Sequence, residues 1–211
     1  MQQPVSLKSA ERKAFQATFA DGLWDVMIGC VFLMFAVAPL LSESLGDFWS
    51  SVIFLPFWGL VYLAIWLTRR YVVAPRIGKA TLGKPRQRRL RNLGFLMVII
   101  NILLLLIGML AVFIFPSVSG FLMAVILGVV LLFGFSAAAY FLDYPRFYLY
   151  GLLLFTAALV GEWLYQNYGV SHHGYPLCYG FVSGVMIVTG LVTFGRLLKD
   201  NPLVELPVEA A

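Results

Sequence analysis

The chain has 211 residues, 61% of them hydrophobic and only 12% charged, with a formal net charge of +5. That charge density is about half of what an ordinary soluble domain carries, and the mean hydropathy of +0.89 excludes a water-soluble fold, which could not hide so much apolar surface. The positive charge does not point to nucleic acid, because the basic residues sit beside hydrophobic blocks without the interleaved aromatics of a stacking platform. The expected class is all-α: a polytopic membrane protein of about six transmembrane helices behind an interfacial N-terminal helix.

In chain order, residues 6–20 read as an amphipathic helix capped by Ser6, with Leu7, Ala14, Phe15 and Phe19 on one face and Lys8, Arg12 and Gln16 on the other, so residues 1–21 form an interfacial segment. Asp21-Gly22 marks a break before the membrane domain, residues 22–197. The expected spans are 23–41, with Pro39 bending its far end; 48–67, with Pro56 as a kink and Trp49 and Trp66 as interfacial anchors; 93–115; 121–142; 147–165; and 175–197. Each is long enough to cross about 30 Å of hydrocarbon at about 1.5 Å per residue. A cytoplasmic tail, 198–211, follows. Residues 23–35 and Ala36-Val37-Ala38 also have the outline of a cleaved signal peptide, but Asp25 inside the apolar core and Pro39 just after the cut argue for retention.

Alternate connections hold all fifteen Lys and Arg residues. The N-terminal segment has three, the connection 68–92 has nine with no acid among them, the turn after the fourth span has Arg146, and the tail has Arg196 and Lys199. The positive-inside rule then places the N-terminus, the basic connection and the C-terminus in the cytoplasm of a multi-pass cell-membrane protein. Glu11-Arg12-Lys13-Ala14-Phe15-Gln16, then Asp21-Gly22-Leu23-Trp24-Asp25 and Gly29, and later Ala74-Pro75-Arg76-Ile77-Gly78, resemble two signatures of a group of small prokaryotic polytopic membrane proteins of uncharacterised activity. The resemblance implies a membrane location and carries no catalytic residues.

Few residues offer chemistry. Glu162 lies inside the fifth span, where an ionisable side chain is costly and is a candidate for ion or proton binding. Asn101 in the third span is the deepest polar amide and a second such candidate. His172 and His173, in the loop that follows Glu162, are a weak metal candidate, since adjacent histidines in an extended loop point apart. Asp21 and Asp25 suit capping of the first span, with pairing to a cation from the basic connection as a second reading for Asp25. Gly180 and Gly184 form a G-x-x-x-G pattern for close helix packing, internal or against a second subunit. Arg76, Lys79, Lys84, Arg86, Arg88, Arg89 and Arg91 are candidates for anionic lipid at the cytoplasmic leaflet, or for an acidic partner. Cys30 and Cys178 fall at different depths and read as unpaired packing residues.

No zinc-peptidase, nucleophile-elbow or phosphate-loop motif is present. Two adjacent loop histidines do not bracket a haem, no Lys lies in a span to carry a Schiff base, and no cofactor is expected. The leading functional expectation is a non-enzymatic accessory, regulatory or assembly component. The alternatives are a small transporter or channel subunit using Glu162, or a membrane-embedded enzyme acting on lipid.

Overall fold

The structure is a computed structural model that describes residues 21–77, 84–114 and 119–202, with side chains except at residues 47, 51, 84–86, 101, 103–105 and 107–114. The expected N-terminal amphipathic helix and most of the tail lie outside the described residues. Within them the chain is all-helical, without strands. The helices are α1 (Leu23–Val52), α2 (Phe54–Thr68), a π-helical turn (Arg69–Val73) leading into α3 (Ala74–Ile77), α4 (Lys84–Ile114), α5 (Gly120–Leu142), α6 (Arg146–Tyr168) and α7 (Tyr175–Asp200).

Five helical stretches among the described residues are long and apolar enough to cross a membrane: Leu23–Gly46, Phe48–Ile77, Gly120–Leu142, Arg146–Tyr168 and His172–Asp200. The third expected span falls on α4, many of whose side chains lie outside the description, and it is not among the five. α1 carries its turn within the connection expected between the first two spans, 42–47. Pro39 is accommodated inside the helix, and the chain turns instead at Gly46, whose φ of 78° and ψ of 160° are open to glycine and closed to most other residues. The basic connection is also not the loop expected over 68–92. Helical structure continues from Phe54 through Ile77 and resumes at Lys84, so Arg76 sits on α3 and Lys84, Arg86, Arg88, Arg89 and Arg91 on α4, while Lys79 is outside the described residues.

The tightest helix pairs are α1 against α7 and α5 against α6, with α6 packed on α7 between them. Glycines set both seams. A Cβ on Gly22 would stand 2.3 Å from the Gly190 carbonyl oxygen, one on Gly190 2.6 Å from the Gly22 carbonyl oxygen, and one on Gly29 3.0 Å from the Ser183 carbonyl oxygen, so backbone touches backbone along α1 and α7. Gly128 and Gly151 do the same between α5 and α6, against Phe155 and against Leu132 and Phe135. The expected G-x-x-x-G pair takes no such part. Gly180 reaches only ordinary contact with Ala36, and Gly184 meets nothing within 4 Å.

The core these seams enclose is aromatic: Phe32, Tyr144, Phe147, Tyr150 and Tyr179, with Leu154 and Met186. Neighbouring rings run through it in steps: Tyr144 to Phe147 at 5.0 Å, Phe147 to Phe135 at 5.8 Å, Phe135 to Phe32 at 5.8 Å, and Phe32 to Tyr179 at 6.2 Å. Outside that core the helices remain apolar. Leu60, Phe133, Phe181 and Val188 are all exposed, Phe181 to 72%. Apolar residues on both the inner and the outer faces are compatible with a multi-pass membrane protein, whose outer faces meet lipid.

Candidate functional site

Two polar clusters occupy opposite ends of the bundle. At the end where α1 starts, Asp21 accepts a hydrogen bond from the Leu23 N–H at 3.0 Å, the capping contact that an aspartate two residues ahead of a helix suits. Arg69, at the start of the π-helical turn, donates to both Asp21 oxygens, Nε at 3.0 Å and Nη2 at 3.2 Å, and its guanidinium lies 5.1 Å over the Trp24 ring. Burial pushes the Asp21 carboxyl above the ordinary aspartate range, and the opposing pull of Arg69 and the Leu23 N–H offsets this only in part.

Asp25, one turn further in, is fully buried. Its carboxylate accepts from the Tyr144 hydroxyl at 3.2 and 3.1 Å and from Arg146 Nη1 at 3.1 Å. Arg146 also donates to Thr193 on α7 at 2.9 Å. The turn that delivers Tyr144 and Arg146 ends α5 with Asp143 in the left-handed region, φ 53°. Burial, reinforced by the Asp25 charge, pushes the Tyr144 phenol up, so it stays a hydrogen-bond donor. Sequence reasoning offered the basic connection as Asp25's partner. That connection supplies Arg69 to Asp21, while Asp25 takes Arg146 from the turn between α5 and α6, because the close α1–α7 seam brings Thr193 and that turn over it.

At the opposite end, Glu162 on α6 is buried to 2% exposure. One oxygen lies 2.7 Å from His173 Nδ1, and the other accepts from Gln166 Nε2 at 3.0 Å. The carboxylate presses on the first turn of α5, where a Cβ on Gly120 would fall 2.4 Å from Oε1. A helix N-terminus carries partial positive charge, so α5 contributes to holding the anion. His173 is clasped between aromatic rings, Tyr165 at 4.3 Å and Tyr175 at 5.8 Å. The backbone pays for this placement: His172 and His173 both have φ of 54° and Gly174 has φ of 63°. A non-glycine residue costs about 1–2 kcal/mol in that left-handed region. Gly174 makes the turn fit, since its backbone abuts Gly161 so closely that a Cβ would stand 2.5 Å from the Gly161 carbonyl oxygen.

The two histidines diverge. His172 Nε2 lies 3.2 Å from Glu43 Oε1 near the far end of the first span, and His173 turns to Glu162. Among the described residues no group of three or more His, Cys, Asp or Glu side chains is placed to hold a metal ion. Asn101 lies on α4, but its side chain is outside the description. Cys30 and Cys178 are both unpaired. The residues that sequence reasoning missed are Tyr144, Gln166 and Gly120, ordinary in composition and given their roles only by tertiary neighbours.

A shallow apolar cleft of about 320 Å3 near this second end is lined by residues including Met34, Phe35, Pro39, Ser42 and Tyr175, with no charged side chain in its wall. Comparison with protein-family models, with curated proteins and with solved structures gives no match to this chain.

Proposed function

We propose that this chain is a multi-pass membrane protein without enzymatic activity of its own, an accessory, regulatory or assembly component whose termini and basic segment face the cytoplasm. The observation that supports the reading is how the buried acids are engaged. Asp21, Asp25 and Glu162 are each closed by groups from other parts of the fold: Arg69; Tyr144 and Arg146; His173 and the start of α5. The cleft contains none of them. A carboxylate that carries an ion or proton across a membrane needs a water-lined approach, and Glu162 at 2% exposure is instead engaged as a clamp between helices.

One observation favours a second reading, an enzyme acting on lipid at the outer face. A buried carboxylate on Nδ1 orients an imidazole as in acid–base catalysis, and His173 has that contact at 2.7 Å. The rings beside it, Tyr165 tilted against it and Tyr175 stacked on it, present no serine or cysteine nucleophile.

Reconstitution tests the proposal. Proteoliposomes of the purified protein, loaded with a pH-sensitive dye, are expected to leak protons and monovalent cations no faster than empty vesicles, and Glu162→Gln leaves this unchanged. Flux in the parent protein that Glu162→Gln abolishes would replace the accessory reading with the transport one. Conversion of vesicle lipid that His173→Ala abolishes would replace it with the enzymatic one.

A further inference from the structure

The helix that begins at Phe54 does not stop where its apolar stretch stops. It loosens into the π-helical turn Arg69–Val73 and tightens again over Ala74–Ile77. π turns inside helices recur at functional sites, and here three arginines close in sequence meet different fates. Arg69 is spent inward on Asp21 and Trp24. Arg70 is exposed, its guanidinium 5.2 Å over the Trp66 ring and 5.7 Å over the Tyr71 ring, and both rings are themselves exposed. Arg76 donates Nη1 to the Val72 carbonyl at 2.7 Å, while its buried Nε has no acceptor.

Further cations follow with no acid near them in sequence. Arg88, Arg89 and Arg91 are exposed in the first turns of α4, and no acid occurs anywhere between Thr68 and Asn92. Among the described residues, the acids that form ion pairs are taken by Arg69, Arg146 and the two histidines, leaving Arg70, Arg76, Arg88, Arg89 and Arg91 with no acidic partner. Exposed Trp and Tyr at the end of an apolar helix lie at the headgroup level of a bilayer. Stacking on Trp66 and Tyr71 therefore holds Arg70 at the depth of the lipid phosphates. A planar guanidinium with open donors matches phosphate oxygens in geometry and charge.

We propose that Arg70 and Arg76 bind the phosphate of an anionic glycerophospholipid in the leaflet at the basic end, with Arg88, Arg89 and Arg91 adding long-range attraction. The inference rests on the membrane reading above and adds a ligand class to it. A zwitterionic lipid offers the same phosphate together with a cation that these arginines repel, so the site selects for net negative headgroups. Arg69 is not part of it, because its donors are already filled by Asp21.

The test is lipid competition on the full-length protein. Protein in detergent is incubated with equal amounts of phosphatidylglycerol and phosphatidylcholine of the same acyl chains, and native mass spectrometry reads which is retained. Each arginine near a charged surface contributes about fivefold, so Arg70→Gln with Arg76→Gln together lower phosphatidylglycerol retention by about 25-fold, towards the phosphatidylcholine level. Arg70→Gln alone, at an exposed position, gives the single step. Arg69→Gln is expected to lower thermal stability and leave the lipid preference intact. Equal retention of the two lipids by the parent protein, or an unchanged preference in the double variant, overturns the site. Displacement of phosphatidylglycerol by millimolar inorganic phosphate overturns the lipid as its ligand. Failure of the protein to enter nanodiscs of either lipid contradicts the membrane reading instead.

Discussion

Asp25 shows how a costly residue can be structural. A fully buried carboxylate is tolerated only if its charge and lone pairs are met, and Tyr144 and Arg146 meet them. Removing the cation alone is therefore worse than removing both charges. Arg146→Met is expected to destabilise the protein by about 3–5 kcal/mol, by leaving the acid uncompensated, and Asp25→Asn combined with Arg146→Met by clearly less; equilibrium unfolding in mixed detergent micelles reads the difference. Asp21 makes a separate prediction in pH. Its folded pKa is raised by burial despite Arg69, so its protonated form favours the fold. That contribution is fully present below the unfolded value of about 3.9 and is lost as pH rises through the higher folded value. Asp21→Asn flattens this limb of the stability profile, and a thermal-unfolding series from about pH 4 to 7 tests it. A profile that falls as steeply in the variant would assign the effect to another group.

At the scale of elements, the seam between α1 and α7 decides which glycines matter. Gly190→Ala forces a Cβ against the backbone of Gly22 and Val26, and overpacking of this kind costs about 1–3 kcal/mol. Gly184→Ala meets nothing within 4 Å, and alanine's better helix propensity makes it neutral or stabilising by up to about 1 kcal/mol. Thermal stability of the two variants in detergent distinguishes them, and the opposite order would move the seam to the G-x-x-x-G face. The sequence made the helices readable because each is an apolar block bounded by turn residues: Pro145 and Arg146 begin α6 within a residue of where composition places it, and Gly174 and Tyr175 do so for α7. The turn after the first span falls at Gly46, inside the connection left between the expected spans 23–41 and 48–67, because glycine has the backbone freedom to make it. The polar run 68–92 reads as a loop in the sequence, but arginine, lysine, leucine and glutamine are good helix formers and most of that run is helical. Glu162 was visible as an acid inside an apolar block. Its burial was not, since that depends on His173 returning through a left-handed turn and on Gly120 from a helix more than forty residues away.

For the whole molecule, charge and topology make one argument. The cations in the sequence fall in alternate connections, and the structure gathers Asp21, Asp25, Arg69, Arg146 and Thr193 at one end and Glu43, Glu162, His172 and His173 at the other. An aromatic core separates the two. We propose that these ends face opposite sides of a bilayer, the arginine end inside. Single cysteines in a Cys30→Ala, Cys178→Ala background test it directly: Ser171→Cys in the histidine turn and Arg89→Cys on α4, both exposed positions, are treated with a membrane-impermeant maleimide on intact cells. Ser171→Cys is expected to be labelled at once and Arg89→Cys only after the cells are permeabilised. Labelling of both from the same side, or of Arg89→Cys alone from outside, would contradict it.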